Sequence, residues 1–263
     1  MVKNNDMAQP LKFLGIIPAR YASTRFPGKP LAELGGMTVI ERVWRQARRV
    51  LDQVVVATDD ERIAGAVRSF GGEAIMTSAS HRSGTDRCYE AYVKSGIECD
   101  VVINIQGDEP FVQPEQLEAL MACFDDTKTD IATLVKPFDA SLLPFSALEN
   151  PNTPKVVLDK AMKARYFSRS VIPFVRGAEK EQWPQKVQYY THIGLYAYRC
   201  EVLAQVTRLE PSPLELAESL EQLRCIENGF SIKAGITTQS TIGIDTPADL
   251  ARAEAYLATL KEA

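Results

Sequence analysis

The sequence predicts an α/β fold: a mostly parallel sheet with helices on both faces. Three observations carry this. Short β-branched runs alternate with amphipathic helical stretches through the first half of the chain. One run, DVVINIQ at 100–106, is apolar enough for a central strand buried on both faces. The loops that follow the strands, not the strands themselves, hold the unusual chemistry, as in open sheets that bind ligands at their carboxyl ends.

The elements follow in order. FLGII predicts a first strand, and residues 37–50 a first helix. VVVAT at 54–58 is a strand, and DDERIAGAVRSF a helix with Asp59 or Asp60 at its N-cap. EAIMT is a short strand, and TDRCYEAYVKSG a helix that ends at Gly96. DVVINIQ leads to the helix PEQLEALMACF, with Pro114 in its first turn, and then to the strand IATLVKP. From about 138 the pattern changes. Residues 138–200 are rich in Pro, Tyr and Phe and hold the strand-like runs KVVLD, KARYFSR and YYTHIGLYAYR. The first two are expected to form a hairpin across the two residues DK. A helix is expected over 214–229, then the strand FSIKAGITT and a last helix opening at Asp245 or Thr246. The organisation expected is an extension over residues 1–10, disordered, and one domain over 11–263 with an inserted antiparallel lobe.

Composition bounds the function. The 263 residues are 45% hydrophobic and 24% charged, with a net charge of −4. That balance speaks against a general nucleic-acid binder. The N-terminal stretch MVKNNDMAQP has no apolar core of the kind a secretory signal needs, and no run approaches a membrane span. Five scattered cysteines without a CxxC pair read as reduced structural thiols of a cytoplasmic protein.

Four loops stand out. PARYASTRFPGKP at 18–30 concentrates Arg20, Arg25 and Lys29 with Ser23 and Thr24 between the first strand and first helix. It is neither a Walker A loop nor a GxGxxG turn, yet its cations and hydroxyls suit phosphate oxygens; a solvated basic loop is the alternative. QGDEP at 106–110 sets Asp108 and Glu109 at the mouth of the central strand, as cation ligands or as turn and capping acids. Asp245 in GIDTPADL has the same two readings, with capping favoured by the Thr-Pro that follows. HRSGTDR at 81–87 offers Ser83 and Arg87, either to a nucleotide or as a cap and a surface arginine.

Taken together, PARYASTRFPGKP, VATDDERI, HRSGTDR, INIQGDEPFV, YFSRSVIPF, HIGLYAYR, SPLELAESLEQLR and GIDTPADL resemble the 3-deoxy-manno-octulosonate (Kdo) cytidylyltransferases, also called CMP-Kdo synthetases. The matches run in order from about residue 12 to 256. Arg82, Phe26 and Thr191 depart from the pattern. The resemblance implies a nucleotide-diphospho-sugar transferase-like three-layer α/β/α fold, with a mostly parallel mixed sheet and a smaller antiparallel lobe that makes a homodimer. It implies transfer of CMP from CTP to Kdo for lipopolysaccharide synthesis, with Mg²⁺ as cofactor. A relative acting on 8-amino-Kdo or another sugar acid is the alternative.

The resemblance also implies roles. Arg20, Lys29 and Asp108 carry the chemistry. Ala19, Arg20, Ser23, Lys29, Ser83, Arg87 and Gln106 bind CTP, with Arg87 as donor to the base. Asp108 and Asp245 hold the metal. Arg169, His192, Glu215, Glu221 and Gln222 take the sugar, Arg169 being a cation for its carboxylate.

Overall fold

The computed structural model describes residues 10–262. The extension expected over 1–10 therefore lies, Pro10 apart, outside the described residues. The chain begins with β1 (Phe13–Ala19), whose alternate residues face opposite ways: Leu14 and Ile16 enter one apolar cluster, Ile17 and Ala19 the other. A short 3₁₀ turn, Lys29–Leu31, precedes a small hairpin of β2 (Glu33–Leu34) and β3 (Met37–Thr38), then α1 (Val39–Ala47). β4 (Gln53–Thr58), α2 (Glu61–Ser69), β5 (Glu73–Met76), α3 (Gly84–Ser95), β6 (Val101–Asn104), α4 (Pro114–Ala122) and β7 (Ile131–Pro137) continue the alternation. After them come α5 (Ser146–Glu149), β8 (Lys155–Leu158), β9 (Ala164–Ser168) and α6 (Trp183–Lys186). The last part holds β10 (Tyr190–Arg199), α7 (Cys200–Val206), α8 (Pro213–Glu218), α9 (Gln222–Glu227), β11 (Ile232–Ile236) and α10 (Pro247–Glu262).

The main sheet runs β11-β7-β10-β6-β1-β4-β5. β1 pairs in parallel with β4 and β6, β4 with β5, and β11 with β7; β10 is antiparallel to both β6 and β7. β6 is central, and all four of its residues are buried, as its apolar sequence requires. Ile40, Val43, Ile63, Val67, Leu117 and Leu120 bring α1, α2 and α4 onto one face. Cys88, Ala91, Val202, Leu203, Val206 and Leu223 bring α3, α7 and α9 onto the other. The result is the expected α/β/α sandwich. α10 closes one end through Ala253, buried beside Leu34 and Phe111.

Four expectations need correction. The first helix starts at Val39, because Gly35 and Gly36 turn the chain there with φ of 56° and 83°. Two central residues with positive φ make the tight turn that joins β2 to β3. The β8–β9 hairpin does not turn on two residues. Asp159 Oδ1 accepts from the amides of Ala161 and Lys163, and Met162 sits at φ 60°, so five residues make the turn. The helix expected over 214–229 is two helices, broken at Ser219 with φ 51°. Finally, β10 belongs to the main sheet, which shrinks the lobe expected over 138–200. Only its start touches the lobe, where Thr191 pairs with Lys155. Among the described residues, no helix is long and apolar enough to cross a membrane.

Candidate active site

The loops after β1 and β6 and the start of α3 meet at the carboxyl ends of the parallel strands. Their contact is close. A side chain at Gly107 would place its Cβ 2.6 Å from the Pro18 carbonyl oxygen, so only glycine lets the two loops touch. The Ile244 amide donates to the Asp108 carbonyl at 2.9 Å, which brings the segment before α10 to the same place. The cleft so formed has a volume of about 250 Å³. Ala19, Arg20, Ser23, Lys29, Ser83, Arg87, Gln106, Asp108 and Asp245 all line it. Residues up to 226 apart in sequence are thus gathered.

At its centre is Lys29. Its Nζ donates to Asp108 Oδ2 at 2.7 Å and to Asp245 Oδ1 at 3.1 Å. Arg25 adds a contact to Asp245 Oδ2 at 3.1 Å. Neither aspartate is a helix cap. At α10 the Asp249 carboxylate accepts from the Thr246 amide and hydroxyl, both at 2.8 Å, while Thr246 Oγ1 accepts from the Asp249 amide. Thr246 is therefore the cap, and the Asp245 side chain is free for the cleft. At α4 the cap is Gln113, reciprocated by Gln116. Asp108, five residues ahead of Gln113, lies outside that cap. Its neighbour Glu109 differs: burial first, and the Asp108 charge second, push its carboxyl up to about 8.

Ser83 is a helix cap, with Oγ accepting from the Asp86 amide at 3.1 Å. Ser83 also lines the cleft. Arg87 is buried, and its guanidinium is already engaged by Thr77 Oγ1 at 2.6 Å and Asp59 Oδ2 at 3.0 Å. Two of its five N–H groups are committed there, so the donation to a base expected of Arg87 rests on the remaining three.

A second cavity adjoins the first. His192, Gly194, Tyr196 and Gln222 line it, and Gln106, Asp108 and Asp245 line both cavities. Its floor continues to Thr85, Asn104 and Glu221. Among the described residues, four buried polar atoms around this space lack partners: Asn104 Oδ1, Glu109 Oε2, Tyr196 Oη and Gln222 Nε2. Buried polar atoms are normally satisfied, so unpaired ones beside these cavities call for water or a polar ligand there. Burial lowers the His192 pKa to about 3, which keeps the ring neutral. Thr133 Oγ1 lies 2.9 Å from His192 Nε2 and close to the carbonyls of Ile193 and Leu195. The single hydroxyl proton goes to a carbonyl, so Nε2–H donates to Thr133 and Nδ1 is left as an acceptor. Burial also raises the Glu221 carboxyl above its ordinary range.

Two expected sugar residues are elsewhere. Arg169 does not line either cavity. Its Nε donates to the Glu218 carbonyl at 2.6 Å, Nη1 to Pro151 at 2.8 Å and Nη2 to Ser219 at 3.1 Å. Glu218 answers by accepting from the Arg169 amide at 2.9 Å and from Ser168 Oγ. Arg169 thus satisfies the carbonyls at the end of α8, where the chain breaks. Glu215 is likewise occupied: it completes the capping box of Ser212 and forms a partly buried ion pair with Arg224, Nε to Oε2 at 2.7 Å. Sequence reasoning missed Asn104 and Tyr196, and named Arg25 only as one cation of its loop. The signal for Asn104 was present, as one amide in an otherwise apolar central strand.

A mixed α/β sandwich with a cationic cleft, two uncapped aspartates and an adjoining polar chamber defines a nucleotidyltransferase. The family model described as cytidylyltransferase matches residues 14–234. A 3-deoxy-manno-octulosonate cytidylyltransferase of Bacteroides thetaiotaomicron is 65% identical, over 94% of this chain and 98% of that one. A solved CMP:2-keto-3-deoxy-manno-octonic acid synthetase complexed with CTP is 42% identical with a TM-score of 0.85, covering 94% and 99% of the two chains. A putative glucose-1-phosphate thymidylyltransferase of Bacillus anthracis, 17% identical with a TM-score of 0.61, shares the fold over 93% of this chain and 94% of its own. The chain belongs to the 3-deoxy-manno-octulosonate cytidylyltransferase family of nucleotidyltransferases.

Proposed function

We propose that the enzyme joins the anomeric hydroxyl of Kdo to the α-phosphorus of CTP. That oxygen–phosphorus bond forms as the bond to the β-phosphate oxygen breaks, giving CMP-Kdo and pyrophosphate. One observation carries the reading beyond family membership: a cationic cleft and an orphan-lined polar chamber meet at Gln106, Asp108 and Asp245. A reaction between a nucleotide and a polyhydroxylated acid needs that junction.

In this reading Arg20, Ser23 and Lys29 hold the triphosphate, and positioning plus charge stabilisation does most of the work. A cation matched to charge that develops on the leaving group contributes about 3–4 kcal/mol in such sites. Lys29, at the centre of the cleft, suits that role. The donor set of Asp108 and Asp245, two carboxylates without His or Cys, fits Mg²⁺, which takes few protein oxygens and completes its shell with phosphates and water. Among the described residues, no cluster of three or more His, Cys, Asp or Glu forms a closed metal cage. Mg²⁺ bound there would polarise the phosphate and lower the pKa of the attacking hydroxyl. In the chamber, Gln222, Tyr196 and Asn104 pair with sugar hydroxyls, and His192 Nδ1 accepts from one. None of the described residues lining the chamber is a cation, so in this reading the sugar carboxylate faces the side of Lys29 and Arg25. We also place the enzyme in the cytoplasm, as a homodimer joined through the lobe. The lobe exposes Leu142 (77%) and Phe174 (74%), large apolar side chains that suit a partner surface.

The test is pyrophosphate release with CTP and Mg²⁺, supplying Kdo, 8-amino-Kdo or N-acetylneuraminate in parallel. Release with Kdo is expected. Release only with another sugar acid overturns the substrate while leaving the nucleotide site intact.

A further inference from the structure

The turn after β4 reads Asp59-Asp60-Glu61-Arg62, and none of these four lines the nucleotide cleft. The guanidinium carbon of Arg62 nevertheless lies 3.3 Å from the centre of the Tyr21 ring. Asp60 holds that guanidinium by two points, Nε to Oδ1 at 2.9 Å and Nη2 to Oδ2 at 2.6 Å. Such a fork fixes orientation as well as charge. Asp60 is itself anchored as the cap of α2, its Oδ1 accepting from the Arg62 amide at 2.9 Å.

Tyr21 is the knot of the basic loop. Its carbonyl accepts from the amides of Ser23 and Gly28, both at 2.9 Å. Its ring packs on Gly28, where an added Cβ would lie 3.1 Å from the ring carbons. The backbone between Ser23 and Lys29 is therefore shaped around a ring that Arg62 covers. Next to Asp60, Asp59 holds Arg87 in the first turn of α3, across the cleft. One turn thus reaches both walls of the cleft.

We propose that the Asp60–Arg62 pair is a positioning clamp: stacked on Tyr21, it holds loop 18–30 in the shape that receives the nucleoside triphosphate. This rests on the reading of that loop as the triphosphate cradle. A loop held ready before binding loses less freedom when the ligand arrives. A loop that is ready only part of the time weakens apparent affinity by that fraction. The clamp therefore acts on CTP binding and not on the chemical step.

The experiment is steady-state kinetics with CTP varied, on wild type, Arg62→Ala, Tyr21→Ala, Tyr21→Phe and the double variant Arg62→Ala/Tyr21→Ala. Arg62→Ala and Tyr21→Ala are each expected to raise the CTP KM roughly threefold to tenfold, the range of a cation–ring contact at a partly exposed site. The kcat at saturation stays within about twofold in each, and Tyr21→Phe matches wild type. The double variant is no worse than the worse single one, because both remove the same contact. Tyr21→Ala removes no charge, so a matching KM there separates positioning from loss of positive field. An unchanged CTP KM in Arg62→Ala overturns the clamp, as do effects that multiply in the double variant. A wild-type enzyme without CTP-dependent pyrophosphate release overturns the underlying reading instead.

Discussion

Replacing Lys29 by alanine tests the centre of the site in two independent ways. The ammonium sits 2.7 Å from Asp108 and 3.1 Å from Asp245, with its side chain 13% exposed. Without it, two carboxylates face each other at no more than about 6 Å, where unit charges repel by roughly 3 kcal/mol at an effective dielectric of about 20. The aspartates are 31% and 46% exposed, so solvent screening reduces this to about 1 kcal/mol. In a protein of this size that lowers Tm by about 2–4 °C. A divalent cation should restore it, and the Mg²⁺-dependent rise in Tm should be larger in Lys29→Ala than in wild type, where the ammonium competes for the same carboxylates. Catalysis should not be restored. The kcat should remain about 10²–10³-fold below wild type at saturating Mg²⁺, with a smaller change in CTP KM. Thermal melts with a Mg²⁺ titration and pyrophosphate-release kinetics read the two effects separately. A kcat within threefold of wild type would refute the catalytic role. A variant whose Tm ignores Mg²⁺ would refute the shared carboxylate site.

Three further outcomes are expected. Asp108→Asn should lose turnover at least about 100-fold with an unchanged circular dichroism spectrum; full activity at low Mg²⁺ would exclude it as a ligand. Arg169→Ala should lower stability by about 2 kcal/mol, because three carbonyls lose a charged donor. A rise in sugar KM with an unchanged Tm would return Arg169 to the sugar site. His192→Gln should flatten the acid side of the Tm profile. The folded His192 pKa is depressed to about 3, so below pH 6.5 the unfolded chain takes up a proton that the folded chain does not, and stability falls as pH falls. Discounted for the ring's open edge, that loss at pH 4.5 is about 1–2 kcal/mol in wild type and should be absent in the variant.

The layering of the fold was legible because apolar period and loop chemistry agree through residue 137. The hairpin at Gly35–Gly36 was also in the sequence, as a Gly-Gly pair between short strand-like runs, but a continuous helical pattern after Met37 masks it. The break at Ser219 was not legible. LELAESLEQLRCIENG keeps helical spacing throughout, and the left-handed residue is imposed from outside, by the Arg169 guanidinium on the carbonyls of Glu218 and Ser219. The same long-range contact keeps Arg169 out of both cavities. The position of β10 was hidden for a related reason: nothing local distinguishes an antiparallel strand in the main sheet from one in a lobe.

The acids of the site show where local sequence stops and tertiary structure decides. Asp108 and Asp245 each stand before a helix, and at each position capping and ligation use the same carboxylate oxygens. What decides between them is whether another residue already caps the helix. At α10 Thr246 and Asp249 satisfy the first-turn donors between themselves, and at α4 Gln113 and Gln116 do so. Both pairs have the three-residue spacing of a capping box and both were written in the sequence. An acid immediately before a self-sufficient box has no backbone work left to do. At Asp245 that leaves a charge whose partner must come from elsewhere, here Lys29 and Arg25. Ser83 is the contrasting case: no second residue relieves it, and it caps α3 while its loop forms the cleft wall.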